Sequence, residues 1–401
     1  MNYSILALLK LQEWSVLSVN HDQKEITLTL KRRRKTADCP RCGKRTGCLW
    51  QRGHWQRVKH LRLGNKQIYL RLKKRRFVCK RCQFVFTERT WLVEPYARKT
   101  TVLDNQIISD LADLSFKAVR KRTGVSYHSQ TQVLKRRITP FVASWEEEEN
   151  QEEILLGIDE VSFAGFDFLP TIANLGTKRL KAVLADDRKE TLETCLKSIP
   201  DNIKTRVTHF CLDMNRGYAK SIKRILPKTK LVIDRFHSIQ DANKRITEER
   251  RILQQVFKTK LPMRLFLKNK EDLTPKEKTR INQYFKSFPD LRSYWEAKET
   301  LRAMYALQEK EEAREKLATL ITSLTYSDDP GLRQWGRTLN YWQKEILNFF
   351  DKRTTNAYLE GINNKLKLIK RISFGFRNKD VFIRKAVLAC LPLYLLPQLL
   401  T

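Results

Sequence analysis

The chain has 401 residues, of which 79 are Lys or Arg and 44 are Asp or Glu, giving a formal net charge of +35. With 41% hydrophobic residues it can bury several cores, which excludes a disordered chain and predicts a globular, multidomain protein. The strands and helices predicted below make its fold class multidomain α+β. The charge is too large to be explained by solubility alone and indicates a polyanionic partner.

Basic residues are concentrated in the first third of the chain. Residues 1–138 contain 32 Lys and Arg against 9 Asp and Glu. A folded segment of this charge density can neutralise nucleic-acid phosphates and release their counterions. We therefore expect a nucleic acid as the partner. On charge alone, a ribosome-associated or membrane-surface protein is the alternative.

Neither end of the chain predicts a targeting or membrane segment. The N-terminal apolar run 5–9 is followed by Lys10 and Glu13 and lacks a cleavage site. The apolar stretch 386–400 contains Pro392 and Pro397 and is shorter than the ~20 residues of a spanning helix. We expect a cytoplasmic protein without membrane association, in which the eight cysteines are reduced and serve metal binding or burial.

A zinc-binding module is predicted over residues 1–98. Two C-x2-C knuckles are separated by 36 residues, and each can present two sulfurs from one turn to a tetrahedral structural zinc ion. The predicted ligands are Cys39, Cys42, Cys79 and Cys82. Residues 57–63 and 66–72 alternate like the arms of a hairpin that could bring the knuckles together. The main alternative is a mixed site that uses a Cys or His from the gap: Cys48, His54 or His60.

Basic runs precede both knuckles, at residues 31–35 and 73–76. We expect contacts with DNA phosphates from six of these side chains. They are Arg32, Arg33, Arg34, Lys74, Arg75 and Arg76. The aromatic residues of the module are expected to form its core, because a domain this short needs every aromatic group it has. They are Trp50, Trp55, Phe77, Phe84 and Phe86.

A helix-turn-helix is predicted over residues 99–142. Apolar residues repeat with helical spacing after residue 101, and a break at Gly124 precedes a second helix that Ser126 is expected to cap. Candidates for base and phosphate contacts on the outward side of that helix are Ser129, Gln130, Gln132, Lys135 and Arg136. Any three-helix bundle can give the same pattern. An acidic, solvated linker is expected at residues 143–153.

Residues 154–237 are predicted to form the first part of an RNase H-like α/β core. Apolar runs indicate three strands, a helix, a fourth strand, a second helix and a fifth strand. Their ranges are 154–161, 168–175, 180–185, 189–198, 207–212, 218–226 and 230–233. In this topology the first and fourth strands are neighbours. That arrangement would bring Asp159 and Asp213 within reach of shared metal ions.

Asp234 is a rival for the second carboxylate, because it directly follows the fifth strand. We favour Asp213, which ends the strand expected beside the first strand, whereas the fifth strand lies one step outward. Asp234 and His237 are interpreted as groups that orient ligands or substrate. The ordinary role of a lone Asp at a strand end is a helix cap or a turn.

An all-helical insertion is predicted over residues 238–350, and residues 351–401 are expected to return to the core. A helix over 354–372 would carry Glu360, the third carboxylate, on a polar face beside an apolar stripe. A solvent-exposed amphipathic helix is the alternative. Further DNA contacts are expected from Asn363, Lys367, Lys370, Arg371 and Arg377. Three carboxylates in this order are typical of a two-metal phosphoryl-transfer site.

The chain resembles the ISL3 family of insertion-sequence transposases along nearly its whole length. The matching segments are 39–43, the helix-turn-helix, 157–163, 234–237, 360–365 and 375–378. The resemblance implies DDE chemistry, in which carboxylates hold two Mg2+ (or Mn2+) ions that activate water and then a 3′-hydroxyl for attack on phosphodiesters. Asp159 and Glu360 match the family motifs directly. The choice of Asp213 as the second carboxylate depends on the expected strand order. It also depends on related transposases, which carry a further motif just after this aspartate.

The resemblance also implies the substrates and the assembly. The DNA would be the terminal inverted repeats of the mobile element and a target, in the nucleoid of a prokaryotic cytoplasm. Two ends need two active sites, so we expect a homodimer or higher oligomer. Two alternatives stay open: a DNA-binding transcriptional regulator that uses only the N-terminal region, and a nuclease without strand transfer.

Overall fold

The computed structural model describes residue 9, residues 11–138 and residues 145–391. These residues form two compact units. The first contains the described residues up to 138 together with residues 369–391, and the second contains residues 145–368. Residues 5–8 of the N-terminal apolar run lie outside the described residues, as do the end of the C-terminal apolar stretch and the junction between the predicted helix-turn-helix and linker.

The first unit begins with short strands arranged in three sheets. Their bounds are β1 (Trp14–His21), β2 (Glu25–Arg32), β3 (Ala37–Asp38), β4 (Arg45–Thr46), β5 (Leu49–Gln51), β6 (Trp55–Leu63), β7 (Lys66–Lys73), β8 (Arg76–Val78) and β9 (Val85–Thr87). The strand orders are β1-β2-β7-β6, β3-β4 and β5-β8-β9. β6 and β7 pair antiparallel, so the predicted hairpin is confirmed.

Alternation of side chains gives the four-stranded sheet two different faces. One face is apolar and buried, through Leu28, Leu30, Val58, Ile68, Leu70 and Leu72. The intervening residues are mostly polar or charged and lie on the opposite face. Burying each large apolar side chain is worth about 1.5–3 kcal/mol relative to leaving it exposed. A register slip by one residue would expose this whole set, so the pattern fixes the register.

Helices α1 (Thr101–Asp113), α2 (Phe116–Thr123) and α3 (Tyr127–Arg137) follow in the same unit. Thr100, Ser115 and Ser126 cap them, each through a side chain that accepts from the backbone N–H three residues later. Gly124 ends α2 at φ 65°, where a residue without Cβ is favoured. The predicted break at Gly124 and the predicted cap by Ser126 are confirmed.

The second unit contains a five-stranded sheet. Its strands are β10 (Ile154–Ala164), β11 (Asp167–Asn174), β12 (Arg179–Val183), β13 (Val207–Leu212) and β14 (Lys230–Ile233). The order is β12-β11-β10-β13-β14, with β10, β11 and β12 antiparallel and with β13 and β14 parallel to β10. β10 and β13 are neighbours, as the sequence predicts. Gly157 of β10 pairs with Cys211 of β13. Asp159 and Asp213 each lie two residues beyond this pair, so the parallel register places them side by side.

Helices make up most of the rest. They are α4 (Lys189–Lys197), α5 (Asp201–Lys204), α6 (Arg216–Ile225), α7 (Arg235–Phe257), α8 (Met263–Leu267), α9 (Pro275–Ser287), α10 (Pro289–Ala306), α11 (Lys310–Thr325), α12 (Pro330–Tyr341), α13 (Gln343–Leu347), α14 (Phe349–Lys352), α15 (Ala357–Ile372) and α16 (Lys379–Cys390). Within the described ranges, we find no helix with the length and apolarity needed to cross a membrane.

The predicted insertion is helical, but its packing differs from that of a separate domain. A single hydrophobic cluster joins Phe210 and Ile233 of the sheet to Leu291, Leu301 and Trp335 of the helices. Helix α7 also runs without a break across the predicted boundary at residue 238. The helices and the sheet therefore share one core.

Helix α16 belongs to the first unit, which differs from the predicted return of all of 351–401 to the core. The buried Lys385 side chain donates to the backbone oxygens of Leu111 and Leu114, at 2.5 and 2.7 Å. Carbonyls at a helix end have no partner within the helix, so this lysine satisfies groups that α1 leaves open. Burial lowers the pKa of Lys385 to about 8.

Candidate metal centres and active site

Four cysteine sulfurs converge in the first unit. Cys39 directly follows β3 and Cys79 directly follows β8. The Sγ atoms of Cys39 and Cys82 are 3.6 Å apart, and those of Cys42 and Cys79 are 3.5 Å apart. All four sulfurs lie within 4.8 Å of one another. Four tetrahedral sulfurs at about 2.3 Å from zinc are separated by about 3.8 Å, so this cluster fits the ion.

The two knuckles share one backbone turn. In each, the N–H four residues after the first cysteine donates to that cysteine's carbonyl at 2.9 Å: Gly43 to Cys39 and Gln83 to Cys79. Gly43 and Gln83 both have positive φ, 70° and 56°. The backbone N–H of Cys82 lowers the pKa of Cys79, whereas burial and the neighbouring sulfurs outweigh the backbone N–H of Phe84 and raise the pKa of Cys82. The four thiols thus compete for charge, and a bound zinc ion would take them as thiolates.

The mixed Cys/His alternative is not formed. His60 is fully buried, and its Nδ1 lies 2.9 Å from the Thr100 hydroxyl. Burial lowers the pKa of His60 to about 4, so the ring is neutral and structural. Cys48 and His54 are likewise not members of the four-sulfur cluster.

A second cluster lies in the second unit and consists of Asp159, Asp213 and His237. Asp159 is on β10, Asp213 directly follows β13, and His237 is in the first turn of α7. One ligand atom of each lies within 4.8 Å of the other two. His237 Nδ1 is 3.2 Å from Asp213 Oδ1, and His237 Nε2 is 3.9 Å from Asp159 Oδ1. The neighbouring parallel strands thus bring the two acids to one edge of the sheet.

The charges in this cluster perturb one another. Burial raises the pKa of Asp213 to about 7 with help from the charge of Asp159, although the positive charge of His237 acts in the opposite direction. Burial by itself would lower the pKa of His237. Its hydrogen bond to Asp234 and the charge of Asp213 outweigh that effect and raise the pKa to about 9. The imidazolium is therefore the cationic partner of several crowded carboxylates.

The donor set fits a divalent cation. Asp213 Oδ1 is buried and accepts no hydrogen bond, although the His237 Nδ1 that binds Asp234 lies 3.2 Å from it. A buried carboxylate oxygen that accepts no hydrogen bond costs free energy, which a cation bound there would recover. Mg2+ and Mn2+ prefer carboxylate oxygens, and Asp159 and Asp213 offer them. The two aspartates are therefore the groups of this cluster that suit Mg2+ best, and His237 lies within reach of the same position.

Asp234 is satisfied by the protein itself. It is 3% exposed, its Oδ2 accepts from His237 Nδ1 at 3.1 Å, and its Oδ1 accepts from the Asn356 backbone N–H at 3.3 Å. It is not a member of the three-residue cluster. These contacts are those of a group that orients His237 and the start of α15.

Asn363 of α15 and Asn356, which directly precedes this helix, both bind the central strand β10. Asn363 Nδ2 donates to Asp159 Oδ2 at 2.8 Å, and Asn363 Oδ1 accepts from the Thr171 hydroxyl at 3.1 Å. Asn356 Nδ2 donates to the backbone oxygen of Ile158 at 2.8 Å. Asn363 is 2% exposed, so the predicted DNA contact at this residue is wrong. It orients a carboxylate instead.

Thr171 is a site residue that sequence reasoning missed, because a Thr on a strand is common. The sequence does place Asn356 on the polar side of the predicted helix with Glu360 and Asn363, since these residues are four and three apart. It suggests a contact with DNA for Asn356, whereas the structure gives this buried side chain the backbone oxygen of Ile158 as its partner.

Glu360 is exposed on that same face of α15. It borders a cavity of about 390 Å³ together with Asp234, Arg235, Phe236 and Arg302. Glu360 is not a member of the three-residue cluster. The structure thus brings two of the three predicted carboxylates together and places the third on the helix that orients the first of them.

Two predicted DNA contacts of the zinc module are buried ion pairs instead. Arg32 Nη1 and Arg75 Nη2 lie 3.2 and 2.7 Å from Glu88 Oε2, and the Glu88 side chain is fully buried. Removing either partner of such a pair leaves a buried charge uncompensated. Arg32 and Arg75 therefore hold the module together. The other four predicted DNA contacts of the module are exposed or half-buried: Arg33, Arg34, Lys74 and Arg76.

The predicted outward face of α3 contains one error. Gln130 is fully buried, and its side chain donates to the backbone oxygens of Val125 at 2.7 Å and Phe116 at 3.3 Å. It therefore fixes the turn between α2 and α3. The other DNA contacts predicted on α3, and those predicted on and after α15, are exposed or half-buried. They are Ser129, Gln132, Lys135, Arg136, Lys367, Lys370, Arg371 and Arg377.

The aromatic residues of the zinc module divide into two groups. Phe77 and Phe86 are buried in its core, as predicted. Trp50, Trp55 and Phe84 are exposed, so the prediction that they are core residues is wrong.

Comparison with known proteins identifies relatives along most of the chain. The family model DDE_Tnp_ISL3, described as a transposase, matches residues 156–386. A second model, described as the zinc-finger of transposase IS204/IS1001/IS1096/IS1165, matches residues 35–82. The first match includes both clustered aspartates and α15, and the second includes all four cysteines, which supports a structural zinc ion.

Two curated transposases are similar to this chain. The transposase for insertion sequence element IS1001 of Bordetella parapertussis is 21% identical over 370 residues, which cover 90% of each protein. The transposase for insertion sequence element IS1557 of Mycobacterium tuberculosis (strain CDC 1551 / Oshkosh) is 22% identical over 263 residues. That match covers 58% of this chain and 59% of the relative.

Proposed function

Because this chain belongs to the ISL3 family of transposases, we propose that it binds the terminal inverted repeats of its insertion sequence and cuts and joins DNA strands at their ends. The reaction is phosphodiester hydrolysis followed by transesterification, and it depends on Mg2+ or Mn2+. The observation that carries this proposal is the convergence of Asp159 and Asp213 at one sheet edge, with a buried Asp213 oxygen that accepts no hydrogen bond.

The strand order β12-β11-β10-β13-β14 supports an RNase H-like catalytic core. In that fold the first and fourth strands carry the first two carboxylates, which corresponds to β10 with Asp159 and β13 with Asp213. We assign Glu360 as the third carboxylate, because its neighbours Asn356 and Asn363 bind β10 directly.

Divalent ions held by these three carboxylates would supply Lewis-acid stabilisation and lower the pKa of the attacking hydroxyl. The chain's own groups prepare the site. Asn363 and the Glu160 backbone N–H each donate to one oxygen of Asp159 and fix its orientation. Asp234 holds His237 beside both acids, where the imidazolium can attract a phosphodiester oxygen.

We assign α2 and α3 as a helix-turn-helix in which α3 enters the major groove. The exposed Gln132, Lys135 and Arg136 of α3 support this assignment. Processing of two ends requires two active sites, so the working form is a homodimer or higher oligomer. It acts on double-stranded DNA of the nucleoid in a prokaryotic cytoplasm.

The experiment uses Asp159→Asn and Glu360→Gln. The full zinc-loaded chain is incubated with Mg2+ and labelled duplexes that carry the repeats flanking its gene. Cleavage should fall by about 10³-fold or more in each variant. Binding of the repeat should stay within about twofold of wild type, because neither residue is in the first unit. Asp201→Asn, an acid with a 96% exposed side chain, is the matched control.

Loss of repeat binding in both variants would contradict the assigned roles. Joining of precleaved ends distinguishes a transposase from a nuclease without strand transfer. Specific binding without cleavage by the intact protein would favour a transcriptional regulator.

A further inference from the structure

The four-stranded sheet of the first unit has an outer face, opposite the face that packs into the core. Side chains alternate along a strand, and the strand register aligns the outward residues of three strands. We define the outer face by nine residues: Thr27, Thr29, Lys31, Trp55, Arg57, Lys59, Tyr69, Arg71 and Lys73. Five of the nine are cations.

Two aromatic rings hold three of these cations in place. Arg71 Cζ and Lys73 Nζ lie 5.1 and 5.7 Å from the centroid of the Trp55 ring. Arg57 Cζ lies 3.7 Å from the centroid of the Tyr69 ring. Cation–π contacts restrict long flexible side chains, so less entropy is lost when a ligand fixes them. The cations thus form an ordered row across β6 and β7.

This row is accessible to a large ligand. Trp55 is 42% exposed, the Arg57 side chain is 53% exposed, and Arg71 is exposed. The carboxylate of Glu25 pairs with Arg57 from the neighbouring strand β2. The five cations of the outer face outnumber this one acid. The electrostatic field of the face therefore attracts a polyanion.

We propose that the outer face binds the sugar-phosphate backbone of DNA, as a second contact surface beside α3. Alternate residues of a strand are about 6.6–6.8 Å apart, which is close to the separation of successive phosphates along one DNA strand. Arg71 and Lys73 can therefore meet consecutive phosphates, with Arg57 beside Arg71 on β6. Guanidinium groups suit phosphate oxygens because they donate two parallel hydrogen bonds.

Contacts of this kind carry no sequence information and instead set the register of the protein on the duplex. The outer face would thus hold the DNA next to the terminal repeat while α3 reads base edges. Arg32 and Arg75 of the zinc module are ion-paired with Glu88 and have a structural role. DNA binding by the outer face gives a role to other cations of the module. This inference rests on the proposed function, because it takes DNA as the ligand.

The experiment compares the wild-type chain with the triple variant Arg57→Gln, Arg71→Gln and Lys73→Gln. The probes are two fluorescein-labelled 30-base-pair duplexes, one with the terminal repeat and one with a scrambled sequence. Affinity is measured by anisotropy between 50 and 200 mM NaCl. Both duplexes should lose affinity by a similar factor. The slope of log K against log salt should shrink by about 0.9 for each lost phosphate contact.

A charge-matched control is available on α9 of the second unit. The variant Lys276→Gln, Lys278→Gln and Arg280→Gln removes three exposed cations, one of which lies 5.8 Å from the centroid of the Tyr284 ring. Its salt slope should differ from the wild-type slope by less than that of the outer-face variant. Equal changes in the two variants would overturn the inference, because they would report only net charge.

Two further outcomes are decisive. A wild-type chain that binds DNA, with an unchanged slope in the outer-face variant, overturns this inference alone. A wild-type chain that binds neither duplex overturns both this inference and the proposed function.

If the triple variant loses its zinc or melts early, Arg71→Gln alone replaces it, with an expected slope change of about 0.9. Trp55→Leu, which keeps every charge, should lower the affinity for both duplexes about 2- to 5-fold.

Discussion

The zinc cluster and the carboxylate cluster both gather side chains that are distant in sequence, but they do so by different means. The cysteines come in two local pairs, each presented by the same turn. Asp159 and Asp213 meet because β10 and β13 are neighbours in a sheet. Asn363, which orients Asp159, comes from a helix 204 residues later. The first cluster is a product of local motifs and the second a product of topology.

The two clusters also differ in electrostatic balance. Four thiolates around zinc form a closed site that stabilises the fold. In the carboxylate cluster, Asp213 Oδ1 accepts no hydrogen bond, and burial raises the pKa of Asp213 to about 7. We therefore expect the zinc site to support stability, and the carboxylate site to reduce it until a cation binds.

Loss of the zinc site should have the largest effect. Cys79→Ser should abolish stoichiometric zinc binding and destabilise the first unit by several kcal/mol, because structural zinc contributes about 10–16 kcal/mol in small zinc modules. Metal analysis and thermal unfolding provide the measurement. Cys48→Ser, which alters a cysteine of the same unit outside the cluster, should keep one zinc per chain. Zinc retained by Cys79→Ser and lost by Cys48→Ser would contradict the four-cysteine site.

A smaller effect is expected when the support of the carboxylate cluster is removed. Asn363→Ala takes away the hydrogen bond to Asp159 without touching a carboxylate. Cleavage should fall about 10- to 100-fold, with a higher Mg2+ concentration needed for half-maximal rate, as is usual for groups that orient metal ligands. The exposed neighbour Asn364→Ala is the control. Equal activity of the two variants would mean that Asp159 does not depend on α15.

The smallest effect concerns stability and pH. The folded pKa of Asp213, about 7, lies above the ordinary ~3.9. The folded chain then binds more protons than the unfolded chain between these values, so this group lowers stability as pH rises from about 4 to 7. Asp213→Asn should remove that loss and stabilise the metal-free chain at pH 8 by on the order of 1 kcal/mol, discounted because its side chain is 35% exposed.

Urea unfolding at pH 5, 7 and 8 in the absence of divalent ions measures this effect. His237, with a pKa raised to about 9, contributes stability to the wild type that is complete below about pH 6.5 and is lost as pH rises through 9. The charge of Asp213 is one cause of that raised pKa, so the difference between the two proteins reports Asp213 together with the part of the His237 contribution that depends on it. Asp201→Asn is the control, and a less stable Asp213→Asn at pH 8 would refute the charge imbalance.

Periodicity predicted most of the secondary structure because burial enforces it. The five strands of the second unit lie within a few residues of their predicted ranges. The apolar stripe of α15 is buried as expected, through Leu359, Ile362, Leu366 and Ile369. Cysteine spacing predicted the four-sulfur cluster for the same reason that it forms, since the chemistry is local.

Side-chain partners were predicted less well, because they depend on what lies across from a residue. Gln130 has a polar side chain that indicates an outward position, yet it bonds to the backbone of the α2–α3 turn. Arg32 and Arg75 belong to basic runs, and the sequence gives no sign that Glu88 lies between them. Asn363 shows the same limit, since only the sheet reveals that Asp159 is its partner.

The most direct test maps cleavage of the element boundary, in Mg2+ and at single-nucleotide resolution, for wild type, Asp213→Asn and Asp234→Asn. Asp213 has a buried oxygen that accepts no hydrogen bond and is open to a cation, whereas Asp234→Asn keeps an oxygen that can accept from the Asn356 backbone. The account predicts cleavage by wild type, none by Asp213→Asn, and reduced but measurable cleavage by Asp234→Asn. Cleavage that persists in Asp213→Asn and disappears in Asp234→Asn would contradict the proposed pair of Asp159 and Asp213.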